Sequence, residues 1–262
     1  MGSYSEEAMT VLENTKVVKR KIKKKHPFRN FLIFVCTVGI IIYIMSTPLF
    51  NIKSIKVKGN HYYSPKQVVT LSAAKTGVNI FWGAGDSKIR NRLKKDPYFA
   101  DVSIKRRLPA TLVILVEERR QIAAVEYGDK YVVIDPKGVV LRTGEIDPKL
   151  TLISGLKITK MKKGEQLEVK QSKTLSKTLK MLGAMEKGDI FFKKITFEEW
   201  QDAYIKAYVL DNLVVKGKPQ YVLKRMKSGD LQKVVNNLMQ KEDVRGTIFV
   251  DEKNFITFSP DI

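Results

Sequence analysis

One cysteine, Cys36, and two histidines, His26 and His61, are all that this 262-residue chain holds of two residue types central to metal binding and nucleophilic catalysis. A lone cysteine excludes an intrachain disulfide, and two histidines flanking a long apolar run exclude a multi-histidine metal cage. No HExxH, GxSxG or Walker sequence and no cysteine cluster is present. Gly83-Ala84-Gly85 does not join a strand to a helix in the nucleotide-binding manner and reads as a turn. The adjacent carboxylates Glu117-Glu118 and Glu198-Glu199 would face opposite sides of a strand, so neither pair converges as a general acid and base. Internal repeats and low-complexity segments are missing too. These absences predict a non-enzyme without metal or cofactor, since catalysis normally leaves a titratable cluster.

Charge is missing from one stretch. Phe31 to Phe50, FLIFVCTVGIIIYIMSTPLF, holds no charged residue over twenty positions. A helix of that length rises about 30 Å, the thickness of a bilayer's hydrocarbon core. A cleaved signal peptide would need a shorter apolar region ending in an A-x-A-like site, and Cys36 sits too deep for a lipoprotein signal. The stretch is therefore expected to be an uncleaved anchor over residues 31–50.

Before it stand Lys16, Lys19, Arg20, Lys21, Lys23, Lys24, Lys25 and Arg29, with only Lys53, Lys56, Lys58 and Lys66 in the twenty residues after it. The Lys/Arg bias keeps the flanking arm in the cytoplasm and predicts a single-pass protein whose chain from Asn51 lies outside. Beside a span, Lys19, Arg20, Lys21, Lys23, Lys24, Lys25 and Arg29 are expected to fix topology and touch anionic lipid rather than nucleic acid. Residues 1–30 form this basic tail.

The whole chain carries 48 Lys and Arg against 27 Asp and Glu, a net +21. Outside the first thirty residues 40 basic and 24 acidic residues remain, a net +16. An exported basic domain without disulfides suits a Gram-positive bacterium, where anionic wall polymers, the outer leaflet and acidic proteins are the available counter-charges; a solvated surface is the alternative. Its stability must come from core burial.

Along the exported chain, Ile52–Val57 alternates apolar and polar residues and stops at Gly59-Asn60, a half-buried strand and turn. Ser64-Pro65 supplies an N-cap and first helical residue for a helix running to Gly77, and Asp86 is expected to cap a second ending at Asp96-Pro97. Val102–Lys105 and Leu112–Val116 are strands joined through a Pro109 turn. From Gln121, Ile122–Tyr127, Tyr131–Ile134 and Val139–Leu141 read as successive hairpins, followed by a basic loop over 157–170. Leu175, Leu179 and Leu182 predict a helix of about four turns. Strands follow at Ile190–Phe197, Tyr204–Leu210 and Leu213–Lys216, then a helical stretch from Pro219 that breaks near Ser228-Gly229-Asp230. Thr247–Val250 and Phe255–Phe258 make a closing hairpin. Trp82 and Trp200, each near lysines, leave core packing, sugar stacking and a lipid interface open.

Between Ile52 and Glu118 the residues Val57-Lys58-Gly59-Asn60, Ser64, Gly77–Phe81, Leu93 with Asp96-Pro97-Tyr98, Arg107–Leu112 and Val116–Arg119 fall in one register. That register resembles the POTRA domain of the FtsQ/DivIB bacterial cell-division proteins, on the Gram-positive DivIB side. Asp135–Gly138, Ile153–Leu156 and the closing strands are similar, more loosely, to that family's β domain. Gln121 and Thr151 stand where the family commonly has proline. The resemblance implies an α+β chain: a single transmembrane helix, a POTRA domain (β-α-α-β-β) over 51–119, and a mixed β-sheet domain with two flanking helical segments over 120–262.

It further implies a bitopic scaffold of the division complex, held in the cell membrane and enriched at the septum. Its partners would be FtsL-type and FtsB/DivIC-type coiled-coil proteins, with the septal peptidoglycan synthase as a further contact. In the family the partner packs along the last strand, which maps here to Phe249, Val250, Phe255, Ile256, Thr257 and Phe258. A strand ending a sheet leaves backbone groups that an incoming strand satisfies, which independently favours that place. Two other readings stand beside it: a domain binding anionic cell-wall polymer, and a POTRA-type export or assembly module.

Overall fold

The computed structural model describes residues 27–185, 190–198, 203–240, 244–253 and 255–261. Pro27–Thr47 belongs to one compact unit and the chain from Pro48 to another. The first holds α1 (Pro27–Met45), a 19-residue helix of mean hydropathy 2.1, none of it buried against protein. Among the described residues it is the one helix long and apolar enough to cross a bilayer. It starts four residues before the expected span and stops at Met45, because Pro48 opens a short 3-10 turn, Pro48–Phe50. Of the basic tail only Arg29 falls within the described residues, exposed in the first turn of α1; Lys19, Arg20, Lys21, Lys23, Lys24 and Lys25 lie outside them.

The second unit begins with β1 (Ser54–Lys58), α2 (Pro65–Ser72), α3 (Asp86–Leu93), β2 (Phe99–Arg107) and β3 (Thr111–Glu118). The sheet order is β1-β3-β2, with β1 parallel and β2 antiparallel to β3. Ser64 caps α2 as expected: its side chain accepts from the Gln67 N–H, while the Gln67 side chain accepts from the Ser64 N–H. The helix ends at Ser72 rather than Gly77, with Ala73 left-handed at φ 49°. Asp86 does not cap α3; Gly85 holds that position, and Asp86, the first helical residue, pairs with Arg106 at 2.7 Å. Val68, Ile89, Leu93, Phe99, Val102, Leu112 and Ile114 close the core between helices and sheet.

The remaining strands are β4 (Ala123–Tyr127), β5 (Lys130–Ile134), β6 (Val140–Gly144), β7 (Thr151–Ser154), β10 (Lys194–Phe197), β11 (Ile205–Leu210), β12 (Leu213–Gly217), β13 (Gly246–Val250) and β14 (Ile256–Pro260). They form one mixed sheet in the order β14-β13-β12-β11-β10-β7-β4-β5-β6. Between β7 and β10 lie the small hairpin β8 (Ile158–Lys160) and β9 (Glu168–Val169), where a loop was expected, and α4 (Ser172–Met185). Between β12 and β13 lie α5 (Pro219–Ser228) and α6 (Asp230–Met239), which break at Gly229 with φ 77°. Both insertions connect strands of parallel neighbours, β7 to β10 and β12 to β13 having helices in or near the crossover. Leu175, Leu179 and Leu182 from α4, Val222 and Met226 from α5, and Leu231 and Val235 from α6 share one core with Ile153, Ile195, Ala207, Val215 and Ile248.

Candidate functional site

A strand alternates its faces, so an edge strand is described by two independent parities. In β13, Gly246, Ile248 and Val250 are buried while Phe249 points out; β14 pairs with it antiparallel as Val250↔Ile256, Phe249↔Thr257 and Ile248↔Phe258. Ile256 and Phe258 are half-buried against the core, whereas Thr257 is exposed. Phe255, just before β14, is 66% exposed and Phe249 42%. The six residues expected at the partner site thus divide: Phe249, Phe255 and Thr257 are exposed, whereas Val250, Ile256 and Phe258 pack inward. Val250 is a core residue, because β13 lies over α5 and α6 and must offer them one apolar face.

Phe258 is fixed by close approach. A Cβ built on Gly246 would lie 2.8 Å from its ring and 2.4 Å from the Ser259 carbonyl, so only glycine lets that ring settle over the start of β13. Beyond the hairpin turn, Lys218 at the start of α5 donates to the Glu252 carboxylate and stands 5.5 Å over the Tyr204 ring. The hydrogen bond to Glu252 raises the Lys218 pKa.

The backbone supplies the second parity. Asp251 N–H donates to the Phe255 carbonyl and Asp261 N–H to the Arg245 carbonyl, and antiparallel ladder bonds alternate. Thr257 and Ser259 therefore bond to β13, while the N–H and C=O of Ile256 and Phe258 turn away from it. No described strand lies on that side. Pro260 ends the run, having no N–H to offer. What the edge offers is about two residues of free ladder flanked by exposed aromatic rings.

Register extends the outer face inward from the edge. Lys206↔Lys216, Lys216↔Phe249 and Phe249↔Thr257 form one row across β11, β12, β13 and β14. Glu198 receives Lys206 at 2.8 Å and Lys216 at 3.1 Å. Hydrogen bonding from Lys206, with Lys216 beside it, holds the Glu198 carboxyl below its ordinary range and raises the Lys206 pKa. Sequence reasoning missed these two lysines, since only cross-strand register brings positions 206, 216 and 249 together.

Carboxylates elsewhere serve the fold. Glu118 accepts N–H donors from His61 at 2.7 Å, Tyr62 at 2.5 Å and Tyr63 at 3.3 Å, fastening the turn after β1 to the end of β3. Asp135, 2% exposed, accepts from Arg119 at 2.9 Å and from the N–H groups of Lys137 and Val139, both at 2.8 Å. The cleft between the Pro136–Gly138 turn and α4, about 570 Å³, contains Glu168 as its one carboxylate. A lone carboxylate supplies no acid and base pair. Among the described residues no group of three or more His, Cys, Asp or Glu is placed to hold a metal ion.

Comparison with known proteins bears on most of the chain. Residues 50–119 match the model of the FtsQ-type POTRA domain. The chain is similar to proteins named cell division protein DivIB from three organisms. With that of Clostridium botulinum it is 29% identical over 223 residues, 82% of this chain and 85% of the relative. With that of Bacillus subtilis it is 27% identical over 229 residues, 87% and 84%. With that of Clostridium acetobutylicum it is 26% identical over 220 residues, 82% of each.

Proposed function

From the premise that this chain belongs to the FtsQ/DivIB family of bacterial cell-division proteins, we propose that it is a non-enzymatic scaffold of the division complex that captures its partners on β14. The observation that carries the reading is the open edge: Ile256 and Phe258 direct unpaired backbone groups outward, between the exposed rings of Phe249 and Phe255. An extended segment added there gains main-chain hydrogen bonds for affinity, and side-chain contacts with Phe249, Phe255 and Thr257 set its register.

The partners in this reading are FtsL-type and FtsB/DivIC-type coiled-coil membrane proteins. Binding them stabilises the complex at the septum and regulates septal peptidoglycan synthesis, with the synthase as a further contact. The basic tail, Arg29 included, stays in the cytoplasm and the chain from Asn51 lies outside, following the Lys/Arg bias across the span. The stretches 1–30, 31–50, 51–119 and 120–262 then act as topology signal, anchor, membrane-proximal module and partner-binding module.

The test is affinity capture of the full chain from membranes, with bound proteins identified by mass spectrometry at low and high salt, beside a Phe255→Asp variant. Single-span coiled-coil division proteins retained at both salt levels and lost from the variant are the expected result. Equal recovery with the variant would remove β14 from the reading. Recovery of anionic wall polymer alone, released by salt, would replace the scaffold with a polymer-binding role.

A further inference from the structure

Trp82 is 63% exposed and Leu49 56% exposed. Exposed apolar side chains of that size need a reason when they lie close together: Trp82 belongs to an aromatic cluster with Phe81 and Phe50, and Leu49 precedes Phe50 in the chain. The Phe50 and Phe81 rings lie 5.3 Å apart, and Phe81 lies 6.2 Å from Trp82. The loop carrying Phe81 and Trp82 is stitched to the segment carrying Leu49 and Phe50: Ile80 N–H donates to the Phe50 carbonyl at 2.9 Å, Ile52 N–H to Val78 at 2.9 Å and Gly77 N–H to Ile52 at 2.8 Å. The Asn79 side chain accepts from the N–H groups of Phe81 and Trp82, and Gly83 N–H donates to the Asn79 carbonyl. Trp82 is thus held by backbone bonds to the residues that follow α1 in the chain.

Chain length then limits what the cluster meets. Four residue steps separate Met45, the last residue of α1, from Leu49, and even fully extended they reach about 14 Å. Ser46 and Thr47 continue turns onto the carbonyls of Ile42 and Ile44, which shortens the reach. The headgroup layer beyond the hydrocarbon core is about 5–8 Å deep on each side. With α1 in a bilayer, Leu49 lies within that layer or just above it. Tryptophan has the chemistry for such a place, an apolar body with a polar N–H, and is enriched at membrane interfaces. Lys53 and Lys75, exposed on segments joined by the same backbone bonds, suit anionic headgroups.

We propose that Leu49, Phe50, Phe81 and Trp82 form an interfacial seat that rests the β1–β3 module on the outer leaflet, with Trp82 inserted among the headgroups. The occupant is lipid, and the site is separate from β14. The seat fixes the orientation of the module at the membrane surface, which a single tether does not.

The experiment uses the full chain in nanodiscs whose lipids carry bromine near the headgroup end of the acyl chains. The Trp82 signal is the difference between the emission of the native chain and that of Trp82→Phe. Lipid bromine is expected to remove most of that signal and aqueous iodide little of it. In Leu49→Asp, a change at an exposed position that spares the core, iodide access to Trp82 is expected to rise. Quenching of native Trp82 by iodide but not bromine, shielding from both, failure of the chain to incorporate, or unchanged iodide access in Leu49→Asp would each overturn the proposal.

Discussion

The nine-stranded sheet has two ends, and the chain treats them differently. At the β6 end a strap of its own residues bonds to the outermost strand: Val140 N–H donates to the Glu165 carbonyl, Gly164 N–H to Val140 and Leu167 N–H to Gly138, with a further bridge between Val139 and Gln166. At the β14 end the described residues supply nothing equivalent, and two large rings stand beside the free ladder. Unpaired edges invite association, and proteins usually blunt them. One fold that straps the start of its first edge strand and leaves β14 without a strap shows where the hazard of a sheet edge is blunted; on the reading proposed above, β14 is the edge left for use.

The largest effect that would sharpen this contrast comes from the inner face. Val250→Asp should destabilise by about 4 kcal/mol or more, because it buries an unpaired charge, read as a collapse of the urea midpoint. Phe249→Asp, one residue away on the outer face, should leave the midpoint near native; equal losses at both positions would erase the inward and outward division. Next, Arg119→Met should cost about 2–3 kcal/mol by leaving the buried Asp135 carboxylate without its cation, below the full value for a sealed pair because Arg119 is partly exposed. An unchanged midpoint would show that the two backbone N–H donors suffice.

Partner capture should then fall about tenfold or more in Phe255→Asp, equivalent to about 1.4 kcal/mol, with native circular dichroism. At the strapped end, Gly164→Ala should cost about 1–2 kcal/mol because φ is +81° there, and the variant should self-associate more by ultracentrifugation as the strap loosens. A looser strap with no gain in self-association would break the comparison from the other side.

The smallest effect belongs to the lysine row. Glu198→Gln should cost under about 1 kcal/mol, since surface pairs contribute little. Its folded-state pKa lies below the unfolded value of about 4.3, so the contribution is present above that pH and is lost as pH falls through the folded value. Acid titration of native and variant should converge there.

Much of this was legible before any coordinates. Ser64-Pro65 with Gln67 specifies a helix start by itself, and Gly229 marks the α5–α6 break, because caps and left-handed turns are local chemistry. The apolar helix was legible as a charge-free run, though it stops at Met45, ahead of Pro48, rather than at residue 50. Two things were not legible. No element was marked over Thr151–Ser154, because a four-residue strand wedged between parallel neighbours needs no alternation of its own. At the edge, sequence marked the closing hairpin but not its parity: Val250 and Phe249 are both apolar, and which one faces the helices is decided by pairing with β12, about thirty residues upstream.

That pairing has a consequence for order of assembly. β13 and β14 are neighbours in sequence and close on each other as a hairpin, yet β13 reaches the sheet through a parallel partnership with β12 across the whole of α5 and α6. Contacts at long sequence separation form late, since the loop must close first. The hairpin can exist early as a loose ribbon, but an edge with a defined face requires the two helices to have docked. A chain that has not completed this crossover has no platform to offer, so recognition of β14 would also act as a check that the sheet behind it is finished.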